Sequence, residues 1–257
     1  MSGTLKASGI VVRETKTKES DKIITVLSRE MGIIKIYVKG AMRLKNKFHS
    51  ATSLFTYSDF VLFESRSSEL YQLNEASVKH TFHALSTDVE YLALAMYMAE
   101  LVCVVDVPDD KNGEILRLFL NTLYMMCRGK WSVKLCKAAF EMRLMSDVGF
   151  RPNLIGCKKC YTYEAELFFF DAENGEIVCP ACRKEYDMDG YLAEMPTIAA
   201  LRYLAYADLE QMFSFNLSDD FIAQLNRICE NYVKMHTREN FSTLTFLNNL
   251  LAGGVSG

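Results

Sequence analysis

The sequence contains neither a long apolar run nor a recognisable export signal. Its longest apolar stretch, from Tyr91 to Val107, is interrupted by Glu100 and Asp106, so it does not have the character of a membrane-spanning helix. The first residues show no basic run followed by an apolar core. We therefore expect a cytoplasmic protein, in which disulfide bonds are rare.

Common catalytic motifs are also missing. The patterns G-x-x-x-x-G-K-[ST], G-x-S-x-G and H-E-x-x-H do not occur, which argues against the commonest ATPase, hydrolase and metalloprotease sites. The four histidines, His49, His80, His83 and His236, have no ligand spacing to any cysteine. We expect a protein that is not an enzyme; a nuclease using carboxylates alone carries no such motif and stays open.

Four of the eight cysteines form two C-x-x-C pairs. Cys157 pairs with Cys160, Cys179 pairs with Cys182, and eighteen residues separate the pairs. Two such pairs joined by a short hairpin can complete a tetrahedral shell around one zinc ion per chain. A shell of four thiolates leaves no position for water or substrate, so this zinc would be structural. The alternatives are two disulfides, a redox dithiol, or four cysteines with no shared role.

The charge is distributed unevenly along the chain. Residues 1–50 contain eleven Lys and Arg against four Asp and Glu, a net charge of +7, so the rest of the chain carries −10 of the total of −3. A basic first segment on an acidic body suggests a polyanionic partner for that segment.

The first eighty residues have the pattern of β-structure. Five short runs rich in β-branched and aromatic residues are separated by turn residues and by a basic connector over 40–50. The predicted strands are Ser8–Arg13, Asp21–Ser28, Ile33–Lys39, Phe55–Glu64 and Leu70–Val78. In the third, Ile34, Ile36 and Val38 fall on one face and Lys35, Tyr37 and Lys39 on the other. This arrangement fits a small barrel of the OB type.

Helical periodicity replaces this pattern after residue 80. Apolar residues recur at spacings of three and four from Val89, and helices are also predicted near 115–123, 132–145, 197–206 and 218–236. The predicted fold is α+β with two domains: an OB barrel over 1–79, and an all-α domain over 80–252 with a zinc module inserted at 153–187. Residues 253–257 are predicted to be a flexible tail.

Several segments resemble one known family in the right order. The runs Gly9–Arg13, Glu19–Leu27, Gly32–Arg43 and Glu69–Leu73 resemble the N-terminal barrel of RecO, the bacterial recombination mediator, and Gly149–Leu154 resembles the segment before its zinc module. The residue after Cys160 is Tyr161, where the family often has glycine.

The resemblance implies a nucleoid-associated DNA-repair accessory protein without catalytic turnover. Such a protein would bind single- and double-stranded DNA, anneal complementary strands and, with RecR, help to load RecA. It would also receive the acidic tail of single-strand binding protein, for which Arg202, Arg227, Lys234 and Arg238 are available in the helical region.

The basic first segment supplies the candidate DNA contacts. Lysine and arginine neutralise phosphates without reading sequence, and an exposed aromatic ring can stack on any base. The candidates are Lys16, Lys18, Lys22, Lys35, Tyr37, Lys39, Arg43, Lys45 and Lys47, with Phe48 as a further ring. The alternative is a zinc-stabilised protein–protein adaptor whose barrel does not bind nucleic acid.

Overall fold

The computed structural model describes residues 4–43, 46–64, 70–183 and 190–253. The chain folds into two compact units. The barrel unit comprises Met1–Cys127 with Phe241–Gly257, and the cysteine unit comprises Arg128–Asn240. The predicted limit of the zinc module at residue 187, and most of the predicted tail, lie outside the described residues.

Five strands of the barrel unit close into a barrel. They are β1 Thr4–Thr17, β2 Asp21–Ser28, β3 Gly32–Val38, β4 Thr56–Phe63 and β5 Tyr71–Thr81. Their order is β1-β2-β3-β5-β4, and β4 pairs back with β1. The β3–β5 pair is parallel, whereas the other pairs are antiparallel. This is the strand order of an OB barrel, and it confirms the predicted fold class.

The barrel interior follows the alternation predicted from the sequence. Ile34, Ile36 and Val38 of β3 point inward, and they share the barrel core with Val26 of β2 and Phe60 of β4. Lys35 and Tyr37 alternate with them and face outward. Strand β2 differs because nearly all of its residues are buried on both faces, and a helix of the same unit packs against it.

The helices fall into both units. In chain order they are α1 Val89–Val102, α2 Asn112–Cys127, α3 Val133–Asp147, α4 Pro180–Arg183, α5 Met195–Tyr206, α6 Asp219–Thr237 and α7 Ser242–Gly253. Helix α3 lies close to the predicted range of 132–145, and Ser132 caps it, with its Oγ accepting from the Leu135 amide at 3.3 Å. In the described ranges, no helix is long and apolar enough to cross a membrane.

The last helix was not predicted. Helix α7 packs against α1, where Phe241 meets the ring of Tyr97 edge-on at 5.7 Å and the carboxylate of Glu100 accepts from the Thr243 amide at 3.2 Å. Helices α1, α2 and α7 therefore belong to the same compact unit as the barrel. The compact units are therefore divided differently from the predicted domains. The domain boundary at residue 79 stays a prediction.

The cysteine unit combines a small sheet with α3, α5 and α6. Its strands are β6 Asn153–Cys157, β7 Leu167–Asp171, β8 Glu176–Val178 and β9 Tyr191–Glu194, in the order β6-β8-β7-β9. Phe168 and Phe170 of β7 are fully buried, and Phe170 packs against Tyr232 of α6 at 5.5 Å. The four-cysteine insertion is therefore anchored to the helices by an apolar core.

Candidate metal centre and nucleic-acid interface

The four predicted metal ligands converge at one end of the small sheet. Cys157 is the last residue of β6, and Cys160 follows in a tight turn. Cys179 directly precedes α4, and Cys182 lies within it. Their four Sγ atoms all lie within 4.8 Å of one another, and Cys160 Sγ is 3.6 Å from Cys179 Sγ. Four sulfurs at the usual Zn–S length of about 2.3 Å would be roughly 3.8 Å apart in a tetrahedron. The geometry can hold a metal ion.

The surrounding backbone holds the first cysteine pair in place. The Cys157 amide donates to the Thr162 carbonyl at 2.9 Å, and the Tyr161 amide donates to the Cys157 carbonyl at 2.8 Å. A Cβ atom on Gly156 would lie 2.9 Å from the Tyr161 carbonyl oxygen, so this position needs glycine. Helix α5 steadies β6 from the other side, because Arg202 Nε donates to the Leu154 carbonyl at 2.7 Å.

The electrostatics of the four thiols favour a bound cation. The hydrogen bond between Cys160 and the Thr162 hydroxyl lowers the pKa of Cys160 to about 6, whereas the hydrogen bond with Cys160 raises the pKa of Cys182 to about 12. Four adjacent thiolates repel one another unless a dication neutralises them. The eight cysteines, all of which lie in the described ranges, form no disulfide, and thiolates are the soft ligands that zinc prefers. Lys158, between the first two cysteines, pairs with Glu176.

Tyr161 adopts a backbone conformation that suits glycine. Its φ of +62° lies in the left-handed region, and its side chain is 84% exposed. A non-glycine residue there costs roughly 1–2 kcal/mol, partly offset by the roughly 0.5–1 kcal/mol of extra chain entropy that glycine loses on folding. The backbone at this position therefore favours glycine.

We therefore expect Tyr161→Gly to stabilise the cysteine unit by up to about 1 kcal/mol. Thermal unfolding of the metal-loaded protein measures the effect. Tyr161→Ala is the matched control, because it removes the same ring but keeps the Cβ atom. If both variants change the midpoint equally, the backbone explanation is wrong.

The outer face of β3 carries several of the predicted DNA contacts. Lys35, Tyr37 and Lys39 point away from the core, and Lys18 in the β1–β2 turn places its Nζ 5.9 Å from the Tyr37 ring centroid. Cross-strand pairing aligns Lys35 with Thr25, and Thr25 with the exposed Arg13. Arg13 was missing from the candidate set, because a bulge between Val11 and Arg13 interrupts the alternation of β1.

The Tyr37 ring is held by its hydroxyl. That hydroxyl donates to the carboxylate of Asp21, which also accepts from the Gly40 amide at 2.7 Å. The Gly40 amide and then the Tyr37 hydroxyl lower the pKa of Asp21, while the hydrogen bond to Asp21 raises the pKa of Tyr37. Gly40 has a φ of +65°, which lets its amide turn toward Asp21. The half-buried ring is therefore fixed before any ligand binds.

The connector after β3 lies against the β1–β2 turn. The Met42 amide donates to the Ser20 carbonyl at 2.9 Å, which holds the loops of Arg43 and Lys18 together. Further along, Asn46 Nδ2 donates to the Gly40 carbonyl at 2.8 Å, and Lys47 Nζ lies 4.7 Å from the Phe48 ring centroid. Lys45 lies outside the described residues. We call the outward-facing set the cationic face: Arg13, Lys18, Lys35, Tyr37, Lys39, Arg43 and Lys47.

Two of the candidate lysines do not join the cationic face. Lys16 is exposed, but it lies opposite Lys22 in the β1–β2 ladder. Residues opposite each other share a face of the sheet, so Lys16 lies on the other face from Tyr37. Lys22 is 3% exposed; its Nζ donates to the Thr52 carbonyl at 2.7 Å and lies 3.3 Å from the Glu14 carboxylate. A phosphate cannot reach this ammonium group, so we correct the prediction and remove Lys22 from the DNA contacts.

Lys22→Met should therefore affect stability rather than DNA binding. Loss of the charged donor to Thr52 is expected to lower the free energy of unfolding of the barrel unit by about 2 kcal/mol. The salt dependence of oligonucleotide binding should not change. Urea unfolding followed by binding titrations tests both, and a wild-type stability with a reduced salt slope would return Lys22 to the DNA-contact set.

The fold and the two sites define a class of protein. It combines an OB barrel bearing an outward cationic face with a helical unit that can hold a metal ion on four cysteines. Models of one family match both parts: Recombination protein O N terminal matches residues 1–82, and Recombination protein O C terminal matches residues 86–245.

Similar curated proteins cover nearly the whole chain. DNA repair protein RecO from Acetivibrio thermocellus is 32% identical over 246 residues, which are 96% of this chain and 97% of that protein. DNA repair protein RecO from Alkaliphilus metalliredigens is 30% identical over 243 residues, or 93% of this chain and 97% of that protein. The chain belongs to the RecO family of DNA repair and recombination proteins.

Proposed function

We propose that this protein is a DNA-binding recombination mediator. It binds single- and double-stranded DNA, anneals complementary strands and works with RecR to load RecA. The observation that supports this most is the cationic face, where exposed lysines and arginines of the β1–β2 turn, β3 and the connector accompany the fixed ring of Tyr37, with Lys18 Nζ 5.9 Å from that ring. In a family of DNA repair proteins, such a surface suits a phosphate backbone.

The arrangement supports binding without sequence readout. Lys35, Lys39 and Arg43 are exposed, and they can neutralise phosphates in any sequence. Tyr37 offers a π-face, whose stacking on a base contributes roughly 1–3 kcal/mol with little preference for its identity. A mediator that acts wherever DNA is damaged needs this combination. It also leaves base edges available for pairing with a complementary strand.

The proposed metal is zinc, and its proposed role is structural. Cys157, Cys160, Cys179 and Cys182 would complete its coordination shell, so the ion supplies cohesion and not a site for chemistry. Zinc would tie the β6 end to α4 and stabilise the cysteine unit. We accordingly propose that the protein has no catalytic turnover.

The cysteine unit also offers a surface for protein partners. A cavity of about 640 Å³ lies between β6 and α5, and its lining residues include Met195, Ala199, Arg202, Tyr203 and Tyr206. Arg202 stacks on Tyr163 at 4.0 Å. Of the four basic candidates, Arg202 lines this cavity. Arg227 lies over Tyr191, Lys234 pairs with Glu230, and Arg238 follows the end of α6. We propose this cavity for the tail of single-strand binding protein.

Strand annealing tests the proposed function. The protein should accelerate pairing of two complementary oligonucleotides, both naked and coated with single-strand binding protein, and it should leave them uncut in the presence of magnesium or manganese. An annealing rate equal to the spontaneous one would contradict the proposal. Cleavage of the oligonucleotides would favour a nuclease.

A further inference from the structure

An aromatic pocket lies on the barrel unit, outside the cationic face. Its walls come from the start of β4, the end of β5 and the exposed side of α2. It encloses about 390 Å³, and its lining residues are Tyr57, His80, Phe82, Leu120, Asn121 and Tyr124. Four of these six side chains are aromatic rings.

The rings are arranged as a floor and two walls. Phe82 is 8% exposed and forms the floor, and His80 meets it edge-on with 4.6 Å between ring centroids. Tyr57 is directly opposite His80 in the β4–β5 ladder. Tyr124 approaches from α2 and is 49% exposed. A flat aromatic ligand can therefore enter between rings that β-pairing and helix packing already hold in place.

Polar and charged groups surround the rings. Asn121 carries both a donor and an acceptor into the pocket. A bulge in β5 at Lys79 turns this side chain over the Tyr57 ring, with Nζ 5.2 Å from the centroid and 2.8 Å from the Asp59 carboxylate. Arg117 is exposed one turn before Asn121 on α2. The pocket thus joins aromatic faces to a hydrogen-bonding amide and nearby cations.

The pocket continues toward the connector of the cationic face. A second cavity, of about 380 Å³, shares Phe82 with it and is lined by Ser53, Leu54 and Phe55, which follow the connector. Hydrogen bonds tie this rim to the connector: Ser53 Oγ donates to the His49 carbonyl at 2.7 Å, and Thr52 Oγ1 donates to the Phe48 carbonyl at 2.7 Å. A single DNA strand that runs past Lys47 and Phe48 would reach these two cavities next.

We infer that the pocket of Tyr57, His80 and Tyr124 binds an unpaired base of single-stranded DNA. The inference rests on the proposed DNA-binding function and extends the path of the strand beyond the cationic face. The rings stack on the base, Asn121 bonds to its edge, and Lys79 lies near the adjoining phosphate. A base within a duplex is stacked and paired, so this pocket selects single strands.

Tyr124 is the side chain to vary, because it is half-exposed and its loss leaves the core intact. Tyr124→Ala should weaken binding of a thymidine homo-oligomer about tenfold, whereas Tyr124→Trp should retain it. The salt slope should stay as in the wild type because no phosphate contact is lost. The loss should disappear on an abasic oligomer of the same length. Tyr161→Ala, at an exposed tyrosine of the cysteine unit, is the control and should bind normally.

Photocrosslinking identifies the occupant directly. An oligomer with halogenated uracil should crosslink to Tyr57, His80 or Tyr124, as mapped by mass spectrometry. If the wild type binds with a steep salt slope but Tyr124→Ala binds equally well and no crosslink maps to the pocket, the pocket inference is wrong and the proposed function stands. If the wild type does not bind single strands at all, both are wrong.

Discussion

Replacing Cys160 by serine is expected to remove the bound metal and to unfold much of the cysteine unit. The wild type should carry about one zinc per chain, and the variant much less, because a hydroxyl is a poor replacement for a thiolate ligand. Structural zinc contributes roughly 10–16 kcal/mol of apparent binding free energy, which is comparable to the whole stability of a domain, about 5–15 kcal/mol. Cys160 is exposed, so the substitution itself creates no cavity.

Elemental analysis measures the zinc content, and hydrogen exchange measures the stability of the cysteine unit. Zinc per chain should fall, and amides of β6, β7 and β8 should exchange faster, while those of the barrel strands stay protected. Cys127→Ser is the matched control, since Cys127 lies in α2 and outside the four-cysteine cluster. Unchanged metal content in Cys160→Ser would show that these cysteines do not form the site.

Reversing two charges of the cationic face should separate DNA binding from folding. Lys39 and Arg43 are both exposed, and the Arg43 side chain lies against Gly40. We expect Lys39→Glu with Arg43→Glu to weaken single-strand binding roughly 10- to 100-fold at low salt, because two phosphate contacts become repulsive. The slope of log affinity against log salt should become shallower by about 1.4, or about 0.7 per lost contact.

The control for this pair must carry the same change in net charge. Lys130→Glu with Lys134→Glu meets that condition, since both lysines are exposed and lie in the cysteine unit. This control should bind DNA much as the wild type does, and both double variants should keep their zinc. An equal loss of affinity in both would mean that net charge, rather than a defined face, governs binding.

The strands and the metal site were predictable because local sequence determines them. Alternation at Ile34, Lys35 and Ile36 reports which face of β3 meets the core. The spacing of three residues between Cys157 and Cys160 lets one tight turn bring both thiols together, so this half of the site depends on local sequence alone. The structure confirms the five-stranded barrel and brings the four cysteines together.

The features that escaped prediction depend on interactions between distant residues. Helix α7 is rich in Ser, Thr and Asn, and much of its burial comes from α1, which lies far earlier in the chain. Lys22 has the sequence context of a surface lysine, and its burial follows from Thr52 and Glu14 closing around it. Arg13 joins the cationic face because a bulge shifts the alternation of β1. None of these three features is indicated by the residues next to it in the sequence.

The most direct test of the account is a salt titration of the wild-type protein with a single-stranded oligonucleotide. We predict micromolar or tighter binding at low salt, with a slope of log affinity against log salt of about −3 to −4, as expected for some five neutralised phosphates. Absence of binding at low salt, or an affinity that does not respond to salt, would contradict a phosphate-binding barrel and favour a protein adaptor.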